Sequence, residues 1–143
     1  GDGPDRQRLE ELARQENAPV DFLGYQDHGS MAAWLRASDI TVNSLVKSAV
    51  QSIVTKIGDY LASGKPMINT GSSPEFRNKV TTDGFGLNVE AENPEALADV
   101  LEELARNPSL RKIMGARGRA VAEREFDQRT SYLAIVNLLR NLM

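Results

Sequence analysis

The sequence predicts an α/β fold, with a mainly parallel sheet and helices on both faces, and three observations predict it. First, residues 39–70 read DITVNSLVKSAVQSIVTKIGDYLASGKPMINT. Asp39-Ile40-Thr41-Val42 is a short β-branched strand. Ile53, Ile57, Tyr60 and Leu61 recur at helical spacing, Gly64 stops that helix, and Met67-Ile68 opens a second strand. Strands joined through a helix are parallel, with a right-handed connection. Second, apolar runs with strand character recur near Val20, Ile40, Met67 and Leu87, separated by helical patterns. Third, Asn93-Pro94 and Asn107-Pro108 each read as a helix start, N-cap then N1 proline.

The length of 143 residues suits one domain, spanning 1–143. With 41% hydrophobic and 26% charged residues the composition is that of a soluble globular protein. No run is long enough to span a bilayer, and no signal peptide is expected. Without cysteine, disulfides and thiolate metal sites are excluded, and a cytoplasmic setting is expected. One histidine and no clustered carboxylates argue against a dedicated metal site. A formal net charge of -3 argues against a nucleic-acid partner.

Taken in order, Gly1-Asp2-Gly3-Pro4 is a turn or a flexible start. Asp5 to Glu16 is a helix with Leu9, Leu12 and Ala13 on one face. Val20 to Tyr25 is a strand, in which Gly24 allows close backbone approach to a ligand. A short helix starts near His28, with Ser30 or Asp27 as N-cap and with Met31, Trp34 and Leu35 apolar; Trp34 is expected in the core. Nothing near His28 would orient it as a general base.

The strand at Ile40 leads into Asn43, Ser44, Lys47, Ser48, Gln51, Ser52, Thr55 and Lys56. In parallel sheets this place, beyond the carboxyl ends of the strands, is where ligands bind. Between Thr41 and Pro74 the only acid is Asp59, against Lys47, Lys56 and Lys65. Free N–H groups at a helix start, the helix dipole and a lysine suit a phosphate. The same residues also suit an ordinary capped helix with solvated lysines, and spacing does not separate the two.

Gly71 to Phe76 is a loop entering a short helix, where Glu75 is favourable as helix-start charge. Thr82 to Val89 gives a turn and the last strand. Leu97, Val100, Leu101 and Leu104 form a buried stripe, as do Leu110, Ile113 and Met114. A final helix begins near Asp127, with Tyr132, Ile135, Val136 and Leu139 apolar. Val89 to Glu103 holds six acids and no base, while Arg106 to Arg129 holds seven bases and three acids. These are solvated helix faces, or a basic surface for an anionic membrane or a partner domain.

The segment TKIGDYLASGKPMINT followed by GSSPEF resembles the donor-binding segment of GT-B glycosyltransferases, the retaining class that uses nucleotide sugars (the glycosyl transferases group 1 type). Val20-x-Phe22-Leu23-Gly24, Gly84-x-Gly86-Leu87-x-Val89, and Leu110-Arg111, Met114-Gly115 and Gly118-Arg119 are similar to further motifs of that family. The resemblance implies a Rossmann-like GT-B C-terminal half lacking its first two strands. It implies a donor site in which Asp59 holds the ribose and Gln51 contacts the sugar, standing where the family has two glutamates. Thr55-Lys56 resembles a Ser/Thr-Lys pair of bacterial polysaccharide-assembly members. Ser52, Thr55 and Lys56 would face the diphosphate, with Lys47 beside them; the turn at Gly24, Tyr25 and Gln26 would hold the base; Glu75 would approach the sugar.

The implied activity is transfer from a UDP- or GDP-linked sugar to a growing surface polysaccharide or lipid-linked acceptor. No cofactor or metal is implied, and no catalytic residue is assigned. The implied partners are a missing N-terminal acceptor domain and the inner face of the membrane, with the uncovered sheet edges expected to pair in a homodimer or strand swap. A nucleotide-sugar epimerase and a noncatalytic interaction domain are the alternatives; Gln51 in place of an acid is what keeps the latter open.

Overall fold

The computed structural model describes residues 1–49 and 55–142. Residues 1–33 and 34–143 form two compact units.

In the first unit, α1 (Arg6–Gln15) is laced by ion pairs within the helix, Arg6 with Glu10 at 2.7 Å and Arg14 with Glu11. Its apolar stripe stays partly open, with Leu9 and Leu12 exposed. The segment from Val20 to Tyr25, expected as a strand, is not one. A strand needs a neighbour for its ladder, and here side chains take the backbone groups instead. Arg6 Nη2 donates to the Phe22 carbonyl at 3.1 Å, and the Tyr25 N–H donates to Asp2 Oδ2 at 2.8 Å. That N–H, with the Arg6 guanidinium, holds the Asp2 carboxyl below its ordinary value. Helix α2 (His28–Ala37) carries residues of both units; Asp27 Oδ1 caps it by accepting the Ser30 N–H at 3.0 Å. Trp34, expected in the core, is 53% exposed, because nothing covers its face of α2 among the described residues.

The second unit holds the sheet. Strands β1 (Thr41–Asn43), β2 (Met67–Asn69) and β3 (Gly86–Asn88) are parallel, in the order β1-β2-β3. Thus three strands stand where four were expected, among the described residues. Helix α3 (Ile57–Ala62) connects β1 to β2, and α4 (Pro74–Asp83) connects β2 to β3. After β3 come α5 (Pro94–Arg106), α6 (Pro108–Glu125) and α7 (Gln128–Leu142).

Alternation along the strands sends successive side chains to opposite faces and builds two cores. On one face Met67 packs with Ile57 and Leu61 of α3, Phe76 and Val80 of α4, Phe85, and Val121 of α6. On the other, Ile68 packs with Val89, Leu104 of α5 and Met114 of α6, with Val42, Leu87, Leu97 and Leu101 against them. The sheet therefore has helices on both faces. Fully burying side chains the size of Phe85 or Leu61 contributes about 1.5–3 kcal/mol each.

The helix starts are the caps the sequence announces. Asn93 Oδ1 accepts the Ala96 N–H at 3.0 Å, Asn107 Oδ1 accepts the Leu110 N–H at 3.0 Å, and Ser73 Oγ accepts the Phe76 N–H at 3.3 Å. Among the described residues, five of the seven bases from Arg106 to Arg129 sit in ion pairs: Arg106, Arg111, Arg119, Arg124 and Arg129.

Candidate functional site

All three strands end on asparagine, and the parallel register sets Asn43 beside Asn69 and Asn69 beside Asn88. Their side chains share one face, so the amides bond in a row. Asn43 Nδ2 donates to Asn69 Oδ1 at 2.9 Å, and Asn69 Nδ2 donates to Asn88 Oδ1 at 2.9 Å. Asn88 Nδ2 then donates to the Arg77 carbonyl of α4 at 2.9 Å. A buried amide left unsatisfied costs about 1–3 kcal/mol. The row satisfies these amides apart from Asn43 Oδ1, which has no partner among the described residues.

This row underlies the carboxyl edge of the sheet, where two loops leave the strands. In the loop after β1, the Leu45 N–H donates to Thr70 Oγ1 at 2.7 Å, and the Lys47 N–H donates to Glu92 Oε1 at 3.3 Å. In the loop after β2, the Gly71 N–H donates to Asn69 Oδ1 at 3.1 Å. Arg77 Nη1 donates to the Gly71 carbonyl at 3.4 Å and the Val89 carbonyl at 3.0 Å. A groove of about 290 Å³ lies here, lined by Ser44, Leu45, Val46, Thr70, Glu90 and Glu92 among others.

The residues expected at a donor site fall as follows. Lys47 is exposed on the loop after β1. Gln51 and Ser52 lie outside the described residues. Lys56 is the N-cap position of α3 and makes no side-chain capping bond; its ammonium stands 5.9 Å from the centroid of the Tyr60 ring. Burial, and Asp59 beside it, push the Tyr60 hydroxyl above its ordinary value. Thr55 and Asp59 line one groove of about 380 Å³ along α3, with Arg119 and Glu123 of α6 and Phe126 directly after it. Arg119 Nη1 also donates to the Ala62 carbonyl at 2.8 Å, closing the end of α3. Glu75 is exposed in the first turn of α4. Gly24 and Tyr25 belong to the 1–33 unit; Gly24 has φ +69°, a conformation costly for other residues, and Tyr25 is 81% exposed.

The structure therefore brings Thr55, Asp59 and Arg119 together. Sequence reasoning gave no site role to Asn69, Thr70, Asn88, Arg77 or Arg119, although Gly118-Arg119 was read as a family motif. A signal was present for the asparagines, since Val-Asn, Ile-Asn and Leu-Asn end the three strands in turn. Among the described residues no group of three or more His, Asp or Glu side chains could hold a metal ion, and no helix is long and apolar enough to cross a membrane.

Comparison with known proteins agrees with this architecture. The chain is 30% identical over 147 aligned residues to a GDP-mannose-dependent monoacylated alpha-(1-6)-phosphatidylinositol monomannoside mannosyltransferase of Corynebacterium glutamicum. The match covers 99% of this chain and 38% of that protein, so the chain spans less than half the length of its relative. Sucrose-phosphate synthase from Thermosynechococcus elongatus superposes with a TM-score of 0.81 at 26% identity, over 99% of this chain and 35% of that one. The C-terminal domain of a glycosyl transferase group 1 family protein, LpcC, from Francisella tularensis superposes at 0.70 with 22% identity, over 86% of this chain and 63% of that one. Anabaena HepE, solved in complex with UDP, does so at 0.77 with 19% identity, over 96% of this chain and 38% of that one. The shared fold is the Rossmann-like C-terminal half of a GT-B enzyme. The family described as Glycosyl transferases group 1 matches residues 1–107, and the chain belongs to it.

Proposed function

We propose that this chain is the donor-binding half of a retaining glycosyltransferase. The enzyme moves a sugar from a UDP- or GDP-linked donor to a growing surface polysaccharide or lipid-linked acceptor. The observation that carries this reading is the extent of the family match: residues 1–107 take in the sheet's carboxyl edge, α3 and every candidate donor residue. The relative named for a GDP-mannose donor and a phosphatidylinositol-based acceptor supports a nucleotide sugar and a lipid-linked acceptor.

In this reading Lys47, Ser52, Thr55 and Lys56 face the diphosphate. Charge builds on that leaving group as the sugar departs, and fixed N–H groups and ammonium groups stabilise it. Lys56, at the N-cap position of α3, makes no side-chain capping bond among the described residues, and in this reading its ammonium pairs with the diphosphate. Asp59 takes the ribose hydroxyls, Gln51 and Glu75 the sugar, and the turn at Gly24 and Tyr25 the base. A further domain holds the acceptor, and the enzyme works at the inner face of the membrane.

Co-crystallisation with a mixture of UDP- and GDP-sugars tests the reading. The expected result is a nucleotide whose diphosphate lies at the start of α3, with its ribose beside Asp59. A nucleotide bound elsewhere, or none at all, would overturn it.

A further inference from the structure

We infer that Asn69 and Thr70 are positioning residues for the donor site, which set the two loops leaving β1 and β2 without touching the ligand. The inference rests on the donor-binding reading and adds to it the residues that shape its cradle.

Asn69 is fully buried, and both ends of its amide bond twice. Oδ1 accepts from Asn43 Nδ2 at 2.9 Å and from the Gly71 N–H at 3.1 Å. Nδ2 donates to Asn88 Oδ1 at 2.9 Å and to the Gly71 carbonyl at 3.4 Å. One side chain thus grips both neighbouring strands and both polar backbone atoms of Gly71. The fit is tight: a Cβ on Gly71 would come within 3.0 Å of Asn69 Oδ1 and 3.2 Å of Leu45 Cδ1, and both would have to give way by a few tenths of an ångström.

Thr70 treats the other loop in the same way. It is 6% exposed, and its hydroxyl accepts the Leu45 N–H at 2.7 Å and donates to the Leu45 carbonyl at 2.8 Å. The backbone ladder of the sheet needs neither side chain. Valine at position 70 would keep the shape, and an apolar residue at 69 would fill the space. Deep polar groups disfavour folding unless paired, and when fully paired they rigidify their surroundings. The two loops lead to Lys47 on one side and to Ser73 and Glu75 on the other. Loops ordered before binding lose less entropy when the ligand arrives.

The test titrates GDP and UDP calorimetrically into the unaltered chain, Thr70→Val and Thr70→Ser, and follows amide hydrogen exchange at Leu45. Losing both hydroxyl bonds to Leu45 should weaken nucleotide binding in Thr70→Val by roughly threefold to tenfold. Exchange at Leu45 should quicken and the thermal midpoint should fall modestly, because the Leu45 backbone loses its partner; Thr70→Ser should restore affinity, protection and midpoint together. Asn69→Asp, which keeps size and acceptors but donates to neither Asn88 nor Gly71, provides the second comparison and should weaken binding likewise. If the unaltered chain binds while Thr70→Val and Asn69→Asp bind equally well, the inference is overturned and the donor-binding reading stands. A loss that Thr70→Ser does not restore, matched by a lower midpoint, marks a general structural role and overturns it too. If the unaltered chain binds neither nucleotide, the donor-binding reading itself fails, and the inference with it.

Discussion

Gly115 of α6 lies directly against the backbone of Gly64: a Cβ built on it would stand 2.0 Å from the Gly64 carbonyl oxygen and 2.8 Å from its carbon. The helix can reach the turn between α3 and β2 only because position 115 has no side chain. Neither partner is a flexible side-chain tip, so neither can swing aside. Gly115→Ala should therefore lower stability by about 1–3 kcal/mol or more, as overpacking does. Gly118→Ala should cost less, because its Cβ would meet Leu61 Cδ2 at 3.3 Å and Phe85 Cβ at 3.4 Å, where a small shift suffices. Thermal unfolding of the two variants checks the order, and equal midpoints would contradict it.

Lys79 of α4 bridges Asp83 and Glu125 at 2.8 Å each, tying α4 to the end of α6. Its ammonium holds the Glu125 carboxyl below the ordinary 4.5 against the opposing effect of burial, and Arg124 adds to this. Burial pushes Lys79 down, but Asp83 and Glu125 outweigh it, and the net shift is upward from 10.5. A carboxylate lowered on folding stabilises above its unfolded value, and that gain is lost as pH falls through the folded one. An ammonium raised on folding stabilises below 10.5, and that gain is lost as pH rises through the folded value. Lys79→Met should thus flatten both limbs of the stability profile, by up to about 1 kcal/mol for each partly exposed pair. Denaturant unfolding across the pH range measures it, and a variant profile parallel to the original would refute the assignment.

Asn107 ends α5 and opens α6, and its Oδ1 caps the Leu110 N–H at 3.0 Å. Asn107→Ala should cost about 1 kcal/mol. Asn107→Ser should recover most of that loss, since a hydroxyl also caps. The comparison needs only unfolding midpoints, and an Asn107→Ala chain as stable as the original would count against the cap.

Legibility from the sequence followed the range of the physics. Asn93-Pro94 and Asn107-Pro108 announce their helices because a cap and an N1 proline act on residues three positions away. β2 and the helix before it were readable because Leu61, Gly64 and Met67 carry their own periodicity and stop. Val20 to Tyr25 has strand composition, yet a strand exists only with a neighbour, and here Asp2 and Arg6 hold that backbone. The asparagine row was present as letters but not as contacts: Asn43 and Asn69 are 26 residues apart, and only the parallel register places them side by side. Gly118-Arg119 was legible as a motif, but the contact of Arg119 was not, since the carbonyl it reaches, that of Ala62, is 57 residues away.

The measurement that bears most directly on the account is a calorimetric titration of GDP and of UDP into this chain, repeated with Lys56→Ala and Asp59→Ala. The account predicts saturable binding of one of the two, weakened in both variants, by roughly 1.5–3 kcal/mol where a charge-assisted bond to the diphosphate is lost. Binding left untouched by both substitutions, or no binding of either nucleotide, would contradict it.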